Sequence, residues 1–124
     1  MKINYQSLEK KIDLKFKNKD LLIQALTHKS FNPNENNEKI EFLGDRVLGL
    51  VIAKKLLEIY PEEKEGILDK KFASLVNKKT CLDIAKKINL ASYVKTFNPN
   101  NKKIKIEDKI ISDSCEALIG AIYL

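Results

Sequence analysis

The strongest constraint on this fold is a helical stripe that begins acidic and ends apolar. From about Glu38 to Tyr60 the apolar residues recur at helical spacing, and Pro61 stops the run. On a helical wheel, Glu38, Glu41 and Asp45 fall on one narrow stripe at i, i+3 and i+7. The same stripe continues as Leu48, Gly49, Ile52, Leu56 and Ile59, while Arg46 and Lys54 lie well away from it. The acids therefore share the face expected to look into the core. A solvated acidic edge is the usual reading of charged helix residues, but it fits poorly where the stripe turns apolar and both flanks are apolar. A buried carboxylate costs several kcal/mol unless something pairs with it.

A second helix, beginning near Glu107 or Asp108, repeats the pattern. Asp113 and Glu116 stand at i and i+3 and share a face with Ala117, Gly120 and Leu124, with Lys109 one turn before. Gly44 and Gly49 on the long helix, and Ala117, Gly120 and Ala121 on the last, permit close helix approach. The two helices are expected to cross and bring four carboxylates together. Clustered carboxylates without matching cations repel one another, and a divalent metal resolves the repulsion. All-oxygen ligands suit a hard cation such as Mg²⁺ or Mn²⁺. The pattern itself does not identify a substrate.

The rest of the chain reads as helical nearly throughout. Helices are predicted over Ser7–Phe16, Lys19–Thr27, Ile67–Lys79 and Cys81–Ile88, with a turn-rich loop at 32–37 and a break at Asn98-Pro99-Asn100-Asn101. The 124 residues suffice for one domain, and the low glycine and proline content argues against an all-β fold. The net charge of +6 comes almost entirely from lysine, Arg46 being the only arginine. A basic excess suits a polyanionic partner, although it is also common in proteins that bind none. The longest apolar runs, 47–53 and 117–124, fall far short of the ~18–20 residues needed to cross a bilayer. The N-terminus has no apolar signal core, so no membrane association is expected and the chain reads as cytoplasmic. Cys81 and Cys115 lack metal-ligand spacing and read as reduced thiols, and one histidine, His28, makes a zinc site improbable.

The segment 37–48, Asn-Glu-Lys-Ile-Glu-Phe-Leu-Gly-Asp-Arg-Val-Leu, closely resembles the signature of the ribonuclease III family. Three further segments fit in the expected order: 25–31, Glu65-Gly66 followed by a basic helix and Leu75-Val76-Asn77, and the second acidic motif from Asp113 to Leu124. The resemblance covers nearly the whole chain. It implies an all-α endonuclease domain packed around a long central helix, a homodimer, and a valley that holds double-stranded RNA. The metal ligands it implies are Glu41, Asp45, Asp113 and Glu116, holding Mg²⁺ with Mn²⁺ as substitute and needing no small-molecule cofactor. Water activated at that metal attacks the scissile phosphate and leaves a 5′-phosphate and a 3′-hydroxyl, as in the processing of ribosomal and other RNA.

Other roles follow from the same resemblance. Glu38 matches a signature acid that supports catalysis or dimer geometry, and Glu65 matches an acid near the cleavage centre. Lys109 matches a lysine beside the site, where it can stabilise transition-state charge or simply offset Asp113 and Glu116 across one turn. Phe42 matches the residue that inserts into the partner subunit, with ordinary core packing as the alternative. Lys70 and Lys71, Lys78 and Lys79, and Lys102, Lys103 and Lys105 are candidates for phosphate contact or for ordinary helix surface. His28 and Cys115 are assigned structural roles. The sequence stops inside an apolar helix with no cap and shows no RNA-binding domain, which reads as truncation of a standard enzyme. The rival readings are a non-catalytic duplex-RNA-binding member of the same family and an all-α di-metal carboxylate protein. All four acids are intact, against the first, and the second normally needs Glu-x-x-His pairs that are missing here.

Overall fold

The computed structural model describes residues 2–98 and 105–124. Within them the chain forms six α-helices: α1 Tyr5–Lys11, α2 Lys19–Ala25, α3 Glu38–Ile59, α4 Glu65–Leu75, α5 Lys78–Lys87 and α6 Asp108–Tyr123. A short 3₁₀ turn, Leu90–Tyr93, follows α5. The only β pairing among the described residues is an isolated bridge between Thr27 and Lys95. The all-α expectation holds. Most of the predicted break after Asn98, together with Lys102 and Lys103, lies outside the described residues.

Asparagines start three of the helices by the same device. The side chains of Asn4, Asn18 and Asn77 accept the amide N–H of Ser7, Leu21 and Thr80, satisfying donors that the first helical turn leaves open. Two predicted boundaries move for local reasons. The first helix was expected to run to Phe16, but it ends at Lys11, and Asp13 takes a left-handed φ of 52°. The buried carboxylate of Glu9 then accepts the Phe16 N–H and the Lys19 ammonium, each at 2.6 Å, and folds the chain back towards α2. The boundary predicted within 79–81 falls instead at Asn77. Its Nδ2 donates to the carbonyls of Ala73 and Ser74, closing α4, while its Oδ1 accepts the Thr80 N–H and opens α5. One side chain caps both helices, and Lys78 becomes the first residue of α5.

The long helix α3 lies along α6, and α6 is the buried centre. Nine of its residues are buried, from Ile111 to Ala121, against Ile40, Gly44 and Leu56 on α3. At 1.5 Å per residue α3 runs about 33 Å and α6 about 24 Å, so α3 overhangs its partner. That overhang is why the predicted inward stripe does not stay inward: Ile59 is 54% exposed, and Gly49 meets Phe72 of α4 instead of α6.

The α3–α6 crossing is as close as backbones allow. A Cβ on Gly44 would overlap the Glu116 carbonyl and stand 2.9 Å from the Gly120 amide nitrogen, and one on Gly120 would overlap the Ile40 carbonyl. These obstacles are backbone atoms, so they cannot swing aside. Replacing Gly44 or Gly120 by alanine should therefore destabilise the fold by ~3 kcal/mol or more, at the upper end of overpacking costs. The same change at Gly66, where a Cβ meets nothing within 4 Å, should be neutral or slightly stabilising in a helix. Thermal melting of the three variants checks this. Equal melting temperatures for Gly44→Ala and Gly66→Ala would refute the crossing as described.

Candidate metal centre

The crossing sets the site. Gly44 rests on the Glu116 backbone, so Glu41 and Asp45, which bracket Gly44 on α3, face Asp113 and Glu116 on α6. Glu41, Asp113 and Glu116 each offer a carboxylate oxygen, and these oxygens lie within 4.8 Å of one another. Exposure grades the cluster: the Glu116 side chain is 3% exposed, Asp113 13% and Glu41 27%. Asp45 sits at the open rim, where Arg46 donates to its Oδ2 at 2.8 Å. The cluster offers oxygen donors only, anionic and partly shielded from water, a set that could hold a hard divalent cation.

Lys78 reaches into the cluster from the start of α5. Its Nζ donates to Asp113 Oδ1 at 2.7 Å and contacts Glu116 Oε1 directly, with Glu41 Oε1 at 3.6 Å. Lys109 holds the outer oxygen of Asp113 at 2.6 Å. Burial and these cations compete in the titration of the acids. Burial pushes Asp113 up, but Lys109 and Lys78 outweigh it and hold the carboxyl below its ordinary range. Glu41 is raised, first by burial and then by Asp113. Glu116 is also raised; burial leads, the neighbouring Asp45 carboxylate adds to it, and Lys78 opposes. Burial pushes the Cys115 thiol up to about 12, in keeping with a protonated core residue behind the acids.

Of the four carboxylates expected as ligands, Glu41, Asp113 and Glu116 converge in one group, and Asp45 stands outside it, beside Glu116. Lys109 is in the same cluster. Glu38 opens α3 and Glu65 opens α4; both are exposed and stand outside the metal-sized group. Lys70 is exposed, and Lys71 lies over the Tyr60 ring at 4.2 Å. Phe42 is 62% exposed, with the Arg46 guanidinium 4.3 Å from its ring centroid, so core packing within this chain is not its role. The His28 ring bonds locally, through Nδ1 to Ser30. Lys78 is the residue whose place sequence reasoning missed, having grouped it with Lys79 as a candidate for phosphate contact or ordinary helix surface. The available signal was Asn77, a strong capping residue one position earlier.

A family model described as Ribonuclease-III-like matches residues 18–124. The chain is 70% identical to a ribonuclease 3 from Pelagibacter ubique over all 124 residues, which is 56% of that relative's length. It is 46% identical to a ribonuclease 3 from Aliarcobacter butzleri over 98% of this chain and 54% of the relative. The chain therefore spans about half the length of these curated relatives. Among solved structures it resembles the nuclease domain of ribonuclease III from Campylobacter jejuni, described for structural flexibility in its region involved in dimer formation. The TM-score is 0.87 at 43% identity, covering 97% of this chain and 85% of that one. Dicer from Pichia stipitis matches at TM-score 0.66 and 27% identity, over 87% of this chain and 46% of that one.

The titration of the cluster gives a test. Glu41 and Glu116 keep their protons to higher pH than free glutamates, and a protonated carboxyl is no ligand. At a fixed Mn²⁺ concentration the rise in melting temperature should therefore grow as pH increases through and just above the ordinary glutamate range, then level off. At a hundredfold excess over Kd the stabilisation should reach ~2.7 kcal/mol. A rise that is independent of pH, or largest in acid, would contradict this arrangement.

Proposed function

Because the chain belongs to the ribonuclease III family, we propose that it is the nuclease domain of an endoribonuclease that hydrolyses double-stranded RNA. The observation that carries the reading is the convergence of three carboxylate oxygens within 4.8 Å at the α3–α6 crossing. Glu41, Asp45, Asp113 and Glu116 would hold Mg²⁺, with Mn²⁺ able to substitute. When bound, such a cation activates water and stabilises the charge of a phosphoryl group in transfer, here giving 5′-phosphate and 3′-hydroxyl ends. Glu116, the most buried of the acids, fixes the centre of the ligand set. Asp45 at the rim is placed to orient water, and Lys109 to offset charge developing on the phosphate. Glu38 supports the entry to α3. Glu65, Lys70 and Lys71 lie on α4 as candidate contacts to the RNA, which is read mainly by backbone and shape. Processing of ribosomal and other RNA in the cytoplasm is the corresponding role. No helix among the described residues is long and apolar enough to cross a membrane.

A second copy of the chain is the proposed partner. Phe42, Arg46, Leu50, Ala53 and Leu57 share one face of α3, at spacings that span about 80° of the wheel. All five are exposed, with Phe42 at 62%, Leu50 at 70% and Leu57 at 60%. An apolar stripe on a helix that otherwise packs well is a recognised mark of an interface. Two such helices laid together across a two-fold axis would bury it.

A non-catalytic duplex-RNA-binding role is the second reading, and one observation favours it: a lysine ammonium already fills the carboxylate cluster. Cleavage of a labelled RNA duplex at low salt separates the two. Mg²⁺-dependent cutting is expected, abolished by chelator and reduced in Glu116→Gln by more than the ~10–100-fold typical of outer-shell changes. Binding of duplex with no cleavage under Mg²⁺ or Mn²⁺ would put the binding role ahead. For the dimer, Phe42→Glu should weaken self-association measured by sedimentation by ~2 kcal/mol, about thirtyfold in Kd. Its circular dichroism should stay unchanged, because the side chain is not part of the monomer core. An unaltered dimer would remove α3 as the interface.

A further inference from the structure

We propose that Lys78 is a built-in counter-cation of the carboxylate cluster, which a divalent ion must displace before it can occupy the site. The inference rests on the metal-centre reading above. The Lys78 ammonium touches the same three carboxylates that converge as candidate ligands: Asp113 at 2.7 Å, Glu116 in direct contact and Glu41 at 3.6 Å. Lys109, the other cation of the cluster, pairs only with the far oxygen of Asp113. A metal ion needs the lone pairs that the Lys78 ammonium occupies, and two cations confined there would repel. Lys78 and the metal are therefore alternatives.

The geometry lets Lys78 leave without unfolding anything. Its backbone is fixed at the first position of α5 by the Asn77 cap. Its side chain is 56% exposed and carries its charge on a flexible four-carbon stem. It can swing into solvent while α5 stays in place. In the metal-free protein the ammonium relieves repulsion among carboxylates that would otherwise crowd one another. Apparent metal affinity is then set by the fraction of molecules in which the lysine is out. Metal loading also frees an ammonium at the rim of the site, where a phosphate-bearing substrate would arrive.

Isothermal titration with Mn²⁺, without RNA, tests this on the unmodified protein and on Lys78→Met, Lys78→Arg and Lys79→Met. Lys78→Met should bind Mn²⁺ about tenfold more tightly, the change expected if the lysine fills the site about nine-tenths of the time. Lys78→Arg should bind no more tightly than the unmodified protein. Lys79→Met, which removes the same charge one residue away, should leave affinity unchanged and so separate displacement from net charge. Equal or weaker binding by a folded Lys78→Met would overturn the inference while leaving the metal centre intact. Absence of Mn²⁺ binding in every protein would overturn both. A variant-free measurement guards against misfolding of Lys78→Met: acylation of lysines in the unmodified protein, read by mass spectrometry. Mg²⁺ should raise labelling of Lys78 severalfold and leave Lys79 unchanged, and identical Lys78 labelling with and without Mg²⁺ would overturn the inference.

Discussion

Everything in this structure depends on the contact of two glycines. Gly44 and Gly120 let α3 and α6 meet backbone to backbone, and only at that separation do side chains from facing turns share one small volume. A single methyl at either position would force the helices apart. The acids sit on either side of this contact, so a backbone-to-backbone crossing and a cluster of negative charge coincide. The core behind the crossing is small and apolar: Ala117, Ala121, Cys115 and Leu118 on α6, with Leu22, Ala25 and Leu26 around α2. It supplies the rigidity that holds mutually repelling groups in place, and lysines supply the compensating charge.

The reach of sequence reasoning follows from which forces are local. The α3 and α6 helices, their start points and the convergence of their acids were legible because each depends on periodicity within one segment and on glycines that declare a close approach. The α4–α5 boundary was not. It is decided by Asn77, whose amide and carbonyl each bond to a different helix, and periodicity averages over such a single-residue event. Lys78 followed that error, since its direction depends on which helix owns it. The early end of α1 has the same character. Glu9 is buried because Lys19 and the Phe16 N–H satisfy it from up to ten residues away, and nothing at Glu9 itself announces those partners.

Phe42 shows a different limit. A wheel places it one step from the acid stripe, but a wheel cannot say how wide a face the partner helix covers. The α3–α6 crossing covers the side of α3 that carries Ile40 and Gly44 and leaves open the side that carries Phe42 and Leu50. Exposure of Phe42 and Leu50 is thus a property of which side of α3 the packing of α6 leaves open, and was accessible only once both helices were in place.

The open side and the acid side of α3 are joined by one residue. Arg46 places its guanidinium against the Phe42 ring and also donates to Asp45 at 2.8 Å. Asp45 in turn stands beside Glu116, the innermost acid. A body laid against the apolar stripe would cover Phe42 and strip water from Arg46. A charge-assisted hydrogen bond strengthens as its surroundings lose water, so the grip of Arg46 on Asp45 would tighten. Docking at the stripe, if it occurs, would therefore bear on the placement of the rim carboxylate from adjacent turns of a single helix. The α3 sequence carries both because phenylalanine, aspartate and arginine within five positions are enough to connect them.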